Sequence, residues 1–266
     1  MLETLPNSKT HTHKLSPPVA AAAYDKMPVR FNNVQPDDIR IQEPFKIKMG
    51  VLAKFDPLAI QLPGMNVPYT CTPMPPMSGM GEYKCKLALS FNDQPPAMQG
   101  EHKALFDMMQ DIDTKAIAYI KTNIKRFFPN KKPPSVELLE TELFHRSVRI
   151  TDDYHPVFQA KVDFEETEPA ISADGMEHTV GDGEHSFNLK VSCYNKAGAS
   201  MPAELALAKR NKVVAIASPE YIWCISGRCG ITWKIPRCVV TELAADESAF
   251  DFDLTEEDTG ESESME

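Results

Sequence analysis

The sequence lacks the motifs that usually identify an enzyme. No G-x-G-x-x-G follows a strand, and there is no P-loop, no H-E-x-x-H helix and no G-x-S-x-G turn. The six cysteines have neither C-x-x-C spacing nor the spacing of a Cys/His zinc framework. His11 and His13 belong to a solvated arm, and Asp152, Asp153 and His155 have no nucleophile as a partner. We therefore expect no catalysis, no cofactor and no metal.

Long apolar runs are also missing. No stretch of about 18 apolar residues is present, so we expect no membrane helix and no membrane partner. The first six residues lack the basic and then apolar pattern of a secretory signal. Several cysteines lie in strand-like apolar patterns, where a free thiol behaves as a small buried hydrophobe. These features predict an intracellular protein, not secreted, with reduced cysteines.

The bulk of the chain lacks net charge. The protein has 28 basic and 38 acidic residues, a formal net charge of −10. Residues 244–266 hold ten of the acidic residues and no basic one, which leaves 28 of each sign in residues 1–243. So acidic a segment cannot bury enough apolar surface to offset its ordering entropy, and its charges repel one another. We predict a disordered acidic tail over 244–266.

Periodicity predicts a mainly β (α+β) body with one long helix. Apolar residues recur at three- and four-residue steps over Glu101–Phe128, and Pro129 ends this helix. Residues 1–40 are predicted to be a flexible arm, and 56–81 and 165–185 to be loops. Alternating or uniformly apolar segments predict strands over Phe45–Leu52, Tyr83–Leu89, His145–Ile150, Val157–Phe164, Phe187–Tyr194 and Lys212–Ala217.

The segment Tyr221–Val240 is the best hairpin candidate. Gly227 and Gly230 predict a five-residue turn over 226–230. Such a turn would set Trp223 opposite Trp233 and place both on one buried apolar face.

Basic residues interleaved with aromatic ones are the most informative feature of the body. Phosphates need cations and unpaired bases need flat π surfaces, so a β surface that offers both suits single-stranded nucleic acid. Taken singly, each lysine could instead solvate a strand and each aromatic could belong to the core. The DNA-binding candidates are Lys84, Lys86, Lys121, Lys125, Arg126, Lys131, Lys132, Arg146, Arg149, Tyr154, Phe158, Lys161 and Lys234.

The acidic tail has apolar residues of its own. Phe250, Phe252 and Leu254 alternate with Asp251 and Asp253. A tethered polyanion would compete weakly for a cationic groove, and DNA that displaced it would free it to recruit partners. We expect the three apolar residues to be partner contacts. The alternative is a tail that only keeps the protein in solution.

The order of these features resembles a known family. A lysine-alternating strand over Glu82–Phe91 precedes a long helix with a basic end. The stretch D-D-Y-H-P-V-F-Q-A-K-V at 152–162 follows, and the hairpin carries G-R-C-G-I-T-W-K at 227–234. Over residues 43–243 plus the tail, the chain resembles the single-stranded DNA-binding proteins of large double-stranded DNA viruses. It is more distantly similar to the acidic-tailed ones of short-tailed phages.

The resemblance implies a five-stranded OB-like β-barrel over 41–243 with the long helix inserted. It implies single-stranded DNA binding without sequence preference in replication and recombination, in the host nucleus or a cytoplasmic viral replication compartment. The tail would bind a polymerase, helicase or primase, and a homodimer is a further option. The alternative function is a structural or scaffolding protein of a virion or replication compartment.

Overall fold

The computed structural model describes residues 27–76, 82–129, 132–167 and 186–244. They form a sheet-rich α+β fold with one long helix, as predicted. The strands are β1 (Val29–Arg30), β2 (Phe45–Ile47), β3 (Gly50–Lys54), β4 (Ile60–Asn66), β5 (Lys86–Ser90), β6 (Phe144–His145), β7 (Val148–Arg149), β8 (Val157–Lys161), β9 (Phe164–Thr167), β10 (Ser186–Leu189), β11 (Ser192–Tyr194), β12 (Ser200–Met201), β13 (Lys212–Ile225) and β14 (Arg228–Glu242). The α-helices are α1 (Gly100–Thr122), α2 (Ile124–Phe127), α3 (Val136–Leu138) and α4 (Ala203–Ala206), with 3₁₀ turns at Phe31–Asn33 and Pro36–Asp38 and a π-helical turn at Leu139–Leu143.

Five strands pair in a cycle. β13 pairs with β14 and with β4, β4 pairs with β5, β5 with β8, and β8 with β14. Two of these seams consist of one residue pair each, Asn66 with Ser90 and Lys161 with Lys234. The last five residues of β13, Tyr221–Ile225, also pair with β3, and β2 pairs with β3 at the end of the sheet. The long β13–β14 hairpin therefore connects the cycle to a second group of strands.

The long helix packs its apolar face on the core. Leu105, Met109, Ile112, Ala116 and Ile120 are all fully buried, as their three- and four-residue spacing predicts. Each burial contributes favourably, by about 1.5–3 kcal/mol for a large aliphatic side chain. The helical run ends in α2, and a non-helical residue between α1 and α2 interrupts it. The predicted helix is thus confirmed with one break.

Two predicted loop regions contain core elements. In the predicted arm, Phe31 and Ile39 are buried, so the arm boundary at residue 40 is wrong for residues 27–40. The predicted loop 56–81 contains β4, with Pro63 and Gly64 inside the strand. These two residue types normally interrupt strands. Here β4 bulges, with Leu62 and Pro63 opposite the one residue of β13 between Val214 and Ile216. Residues 1–26 and 245–266, with most of the predicted arm and tail, lie outside the described residues.

The hairpin turn is shorter than predicted. Ile225 pairs with Arg228, so the turn holds only Ser226 and Gly227, both at positive φ. This is the geometry of a two-residue turn that matches strand twist. The register puts Trp223 opposite Gly230, so the predicted pairing of the two tryptophans is wrong.

The cysteines divide into two groups. Cys71, Cys85, Cys193 and Cys238 are buried and free, as expected of small hydrophobes. Cys224 and Cys229 face each other across the hairpin and are disulfide-bonded, which corrects the prediction for that pair. None of the described helices is long and apolar enough to cross a membrane.

Candidate nucleic-acid interface

A groove of about 920 Å³ lies against the outer surface of four strands and the segment between α3 and β8. Four of its side chains are cationic and none is acidic, although the body as a whole is neutral. We call it the basic groove. It is lined by Lys86, Phe144, His145, Arg146, Ser147, Val148, Arg149, Ile150, Val157, Gln159, Lys161, Trp223, Ile231, Thr232 and Trp233.

Strand alternation brings two of the predicted lysines together. Lys86 on β5 lies directly opposite Lys161 on β8, and both side chains are exposed. Their neighbours Leu87 and Ala160 point inward and are buried. Like charges directly opposite across two strands repel each other. Asp163, 2.8 Å from the Lys161 ammonium, offsets part of this repulsion, and a bound anion would relieve the rest.

Lys234 continues the same row on β14 but is not part of the groove. Its side chain is only 10% exposed, and its Nζ lies 2.5 Å from Asp163 Oδ2 and 3.9 Å from Glu220 Oε1. Burial alone would raise the pKa of Asp163, but hydrogen bonds from Lys161 and Lys234 hold it below its ordinary value. Burial raises the pKa of Glu220. Predicting Lys234 as a DNA contact was therefore wrong, because its charge is used in a buried ion pair.

Two predicted arginines enter the groove from the segment that contains β6 and β7. β6 pairs with β14 and β7 with β8, which fixes this segment against the sheet. Phe144 and Val148 are buried, whereas Arg146 and Arg149 are exposed. The Arg146 guanidinium carbon lies 5.8 Å from the centroid of the Phe144 ring. Both arginine charges are therefore available at the surface.

A buried network joins this segment to helix α1 and to the hairpin. The backbone N–H and the hydroxyl of Ser147 donate to the Asp113 carboxylate at 2.9 and 2.6 Å. Trp233 Nε1 donates to the Ser147 hydroxyl at 2.8 Å. Burial raises the pKa of Asp113 to about 6, although the bonds from Ser147 and the charge of Arg146 oppose this. Trp233 thus has its polar atom satisfied and its ring in the core.

Trp223 supplies the aromatic surface of the groove. Gly230 lies between Trp223 and His145, since it pairs with Trp223 across β13–β14 and with His145 across β14–β6. The two rings have centroids 5.6 Å apart and an interplanar angle of 32°. A Cβ on residue 230 would come within 2.7 Å of Trp223 Cζ2, so glycine is needed for the indole to lie there.

The sequence did not predict that the rings of Trp223 and His145 line the groove. The five-residue turn assigned Trp223 to the buried face with Trp233, and His145 was only the start of a predicted strand. The signal that would have found Trp223 is the two-residue Ser226–Gly227 turn, because it places this tryptophan opposite a glycine.

The apolar surface continues onto the neighbouring strands. Leu52 on β3 pairs with Trp223, and Phe45 on β2 pairs with Leu52. Tyr221 pairs with Lys54, whose Nζ lies 5.9 Å from the centroid of the tyrosine ring. Because paired residues share a face of the sheet, these side chains extend the row that begins at Trp223.

Phe158 is in the core, not in the groove. It is fully buried and meets Trp233 edge to face, with ring centroids 5.4 Å apart. A base cannot stack on it, so the prediction was wrong. Lys161 lies three positions along the same strand, and residues an odd number apart point to opposite faces.

The remaining predicted DNA-binding residues do not line the basic groove. Lys121 pairs with Glu140 at 2.5 Å, and Arg126 pairs with Glu43 at 3.2 Å. Tyr154 is 67% exposed on the loop between β7 and β8, but is not a lining residue. The candidates outside the groove are Lys84, Lys121, Lys125, Arg126, Lys132 and Tyr154. Lys131, Phe250, Phe252 and Leu254 lie outside the described residues.

The groove has side chains that can bind an anionic, aromatic ligand. Within the described ranges, no three His, Cys, Asp or Glu side chains are placed to hold a metal ion. Asp163 lies 2.8 Å from Lys161 but does not line the groove, so four cations face it with no acidic lining residue, and such a surface attracts a polyanion. The adjoining rings of His145 and Trp223 offer a flat π surface to a planar group.

No protein-family model matches the sequence, and no curated protein matches it. Solved structures of phage proteins show a distant similarity. The single-stranded DNA-binding protein gp2.5 encoded by bacteriophage T7 is 14% identical, with a TM-score of 0.39 over 74% of this chain and 98% of that chain. The single-stranded DNA-binding protein from bacteriophage Enc34 in complex with ssDNA is 13% identical, with a TM-score of 0.41 over 78% of this chain and 98% of that chain.

These two proteins agree with the distant phage similarity that the sequence predicts. The similarity to proteins of large double-stranded DNA viruses stays a prediction.

Proposed function

We propose that this protein binds single-stranded DNA, without sequence preference, in the basic groove, and that its cycle of five strands is an OB-like barrel. The observation that supports this best is the composition of the groove. Its lining has four cationic and no acidic side chains, together with the exposed ring of His145 and the half-buried ring of Trp223. Cations bind phosphates whatever the sequence and release counterions, and aromatic rings stack on any base. The site residues proposed are Lys86, His145, Arg146, Arg149, Lys161 and Trp223.

The test is the salt dependence of binding to an oligo-dT, measured by fluorescence anisotropy. The logarithm of the affinity should fall with the logarithm of salt, with a slope of about −0.7 per phosphate neutralised. Replacing the groove cations should remove most of that slope, and replacing four cations elsewhere should not. The groove variant is Lys86→Gln, Arg146→Gln, Arg149→Gln, Lys161→Gln, and the control is Lys103→Gln, Lys115→Gln, Lys196→Gln, Lys209→Gln.

Binding that is equal in the two quadruple variants would place the DNA elsewhere. Absence of oligo-dT binding at low salt, with and without residues 245–266, would reject the proposal. It would favour the structural or scaffolding function, which predicts self-assembly indifferent to DNA.

We further propose that the acidic tail regulates this groove. A neutral body with a polyanion attached has a built-in weak competitor for its own cations. Deletion of residues 245–266 should therefore tighten oligo-dT binding, most at low salt, where charge interactions are screened least. Unchanged affinity at low salt would contradict the competition.

A role in viral replication and recombination belongs to the same proposal, because both processes expose single strands. The tail would then recruit a polymerase, helicase or primase through Phe250, Phe252 and Leu254. Loss of such an association on replacing these three residues by serine, with oligo-dT binding intact, is the expected result.

A further inference from the structure

The cysteines of this chain lie in three pairs. One pair forms the disulfide across the β13–β14 hairpin. The Sγ atoms of Cys71 and Cys85 lie 3.3 Å apart. Those of Cys193 and Cys238 lie 3.2 Å apart. The sequence contains six cysteines, so each of them has another cysteine as its neighbour.

The backbone at Cys193 and Cys238 fits a disulfide. Cys193 on β11 is the register partner of Cys238 on β14, and the two strands are parallel. Neighbouring strands lie about 4.8 Å apart, which is within the range of about 4.4–6.8 Å between the Cα atoms of a disulfide. Both side chains are buried, on the same face of the sheet. A movement of about 1 Å would bring the two sulfur atoms to bonding distance.

Cys71 and Cys85 meet in the segment between β4 and β5. Next to them, Met74 and Lys84 form an antiparallel bridge with backbone hydrogen bonds of 2.9 and 3.0 Å. The N–H of Cys71 also donates to the Leu207 carbonyl at 3.0 Å. Backbone pairing therefore holds these two thiols in contact as well.

Within each pair, one thiol is the better nucleophile. A hydrogen bond from the Cys71 thiol lowers the pKa of Cys85, although burial opposes this. A hydrogen bond from the Cys238 thiol lowers the pKa of Cys193 in the same way. The thiolate, and not the thiol, attacks a disulfide. Cys85 and Cys193 are therefore the attacking residues.

We propose that Cys71–Cys85 and Cys193–Cys238 are two further disulfide sites, oxidised by a low-molecular-weight disulfide such as oxidised glutathione. The Cys85 thiolate attacks one sulfur of the oxidant and releases the other as a thiolate. The Cys71 thiolate then attacks Cys85 Sγ and releases the second sulfur. The oxidant is thereby reduced to two thiols, which take up the two protons of the cysteines. The second pair reacts in the same way, with Cys193 as the attacking residue.

Burial decides when these sites are oxidised. None of the four residues is more than 3% exposed, and buried cysteines are inert towards reagents in solution. Glutathione therefore reaches them in the unfolded or opened chain. Once the disulfides have formed, the same burial protects them from reduction. Refolding is for this reason the informative experiment.

The test is refolding of the full chain from urea in equimolar oxidised and reduced glutathione. Remaining thiols are alkylated, and the linked peptides are identified by mass spectrometry. Six cysteines allow many pairings, and we expect the two proposed disulfides together with the hairpin disulfide to dominate. The test contains no DNA, so this proposal and DNA binding can fail separately.

The proposed disulfides should also stabilise the refolded protein. Their cysteines are 14 and 45 positions apart in sequence, against 5 for the hairpin disulfide. The stabilisation by a disulfide grows with the length of the loop that it closes. Reduction of the refolded wild type by a phosphine should therefore lower its Tm by about 10 °C.

Two alanine variants assign this shift. The shift should be mostly lost in Cys71→Ala, Cys85→Ala, Cys193→Ala, Cys238→Ala. The matched control without the hairpin disulfide should keep most of it, and this control is Cys224→Ala, Cys229→Ala. Comparing the oxidised and reduced forms of one variant removes the cost of the substitutions themselves.

Three results would overturn the proposal. The first is a refolded wild type in which only the hairpin disulfide forms and the other four thiols are alkylated. The second is a dominant pairing that joins cysteines of different pairs. The third is a Tm shift that disappears in the hairpin control. If the quadruple variant does not fold, the peptide map of the wild type still decides.

Discussion

Trp223 and Trp233 are on opposite faces of one hairpin, and this difference decides which of them a base can reach. Trp233 is buried with its Nε1 bonded to Ser147. Trp223 is half-buried over Gly230 and beside His145, in the wall of the basic groove. Of the two tryptophans, only Trp223 is offered to a base.

Replacing Trp223 by alanine should weaken oligo-dT binding by about 1–3 kcal/mol, the usual value of one base–aromatic stack. Trp223→Phe should retain most of the affinity, because a smaller ring still stacks. Anisotropy measures both. Tyr69→Ala removes an exposed aromatic residue outside the groove and serves as the control. Equal losses for Trp223→Ala and Tyr69→Ala would exclude a specific stacking role.

Lys161 and Lys234 pair across β8 and β14 but should behave differently. Both lysines contact Asp163, but the Lys161 side chain is 53% exposed and lines the groove, whereas the Lys234 side chain is 10% exposed between Asp163 and Glu220. Lys161→Gln should weaken oligo-dT binding and lower its salt slope by about 0.7. Lys234→Met should leave that slope unchanged. A smaller slope for Lys234→Met than for Lys161→Gln would contradict this assignment.

At the scale of elements, the Asp113–Ser147–Trp233 network fixes the arginine segment to helix α1 and the hairpin. The pKa of the buried Asp113 carboxyl is raised from 3.8 to about 6. Between these two values the native state binds more protons than the unfolded chain. The free energy of unfolding therefore falls as pH rises through this window, by about 3 kcal/mol in all.

Asp113→Asn should remove this contribution. We expect the stability of the wild type relative to Asp113→Asn to fall between about pH 4 and pH 7, since only the wild type loses the bound proton. Urea unfolding at several pH values measures the difference. Asp111→Asn, on the exposed side of the same helix, should keep the pH profile of the wild type. A constant difference between wild type and Asp113→Asn would contradict the prediction.

Periodicity predicted the long helix and the strand phase of β5 and β8, because apolar spacing reports directly which face is buried. It did not predict β4, since Pro63 and Gly64 lie within the strand and only the register of β13 shows how they are accommodated. It also missed the Trp223–His145 pair. That pair depends on a turn of two residues and on a parallel pairing between segments far apart in sequence.

At the scale of the whole molecule, the separation of charge is the feature that connects sequence and proposed function. Residues 1–243 have equal numbers of acidic and basic residues, yet the basic groove has four cations and no acid. Composition could predict the neutral body and the acidic tail. It could not predict which cations gather, because only the fold shows that Lys121, Arg126 and the buried Lys234 are engaged by carboxylates away from the groove. Lys161 also contacts a carboxylate, that of Asp163, but stays exposed in the groove.

The most direct test of the groove as the DNA site is photocrosslinking of the full chain to an oligo-dT that carries 5-iodouracil, with peptide mapping by mass spectrometry. We expect crosslinks at Trp223 or His145, which unlabelled oligo-dT competes away. Competed crosslinks confined to residues outside the groove, such as Tyr69 or Tyr154, would contradict it.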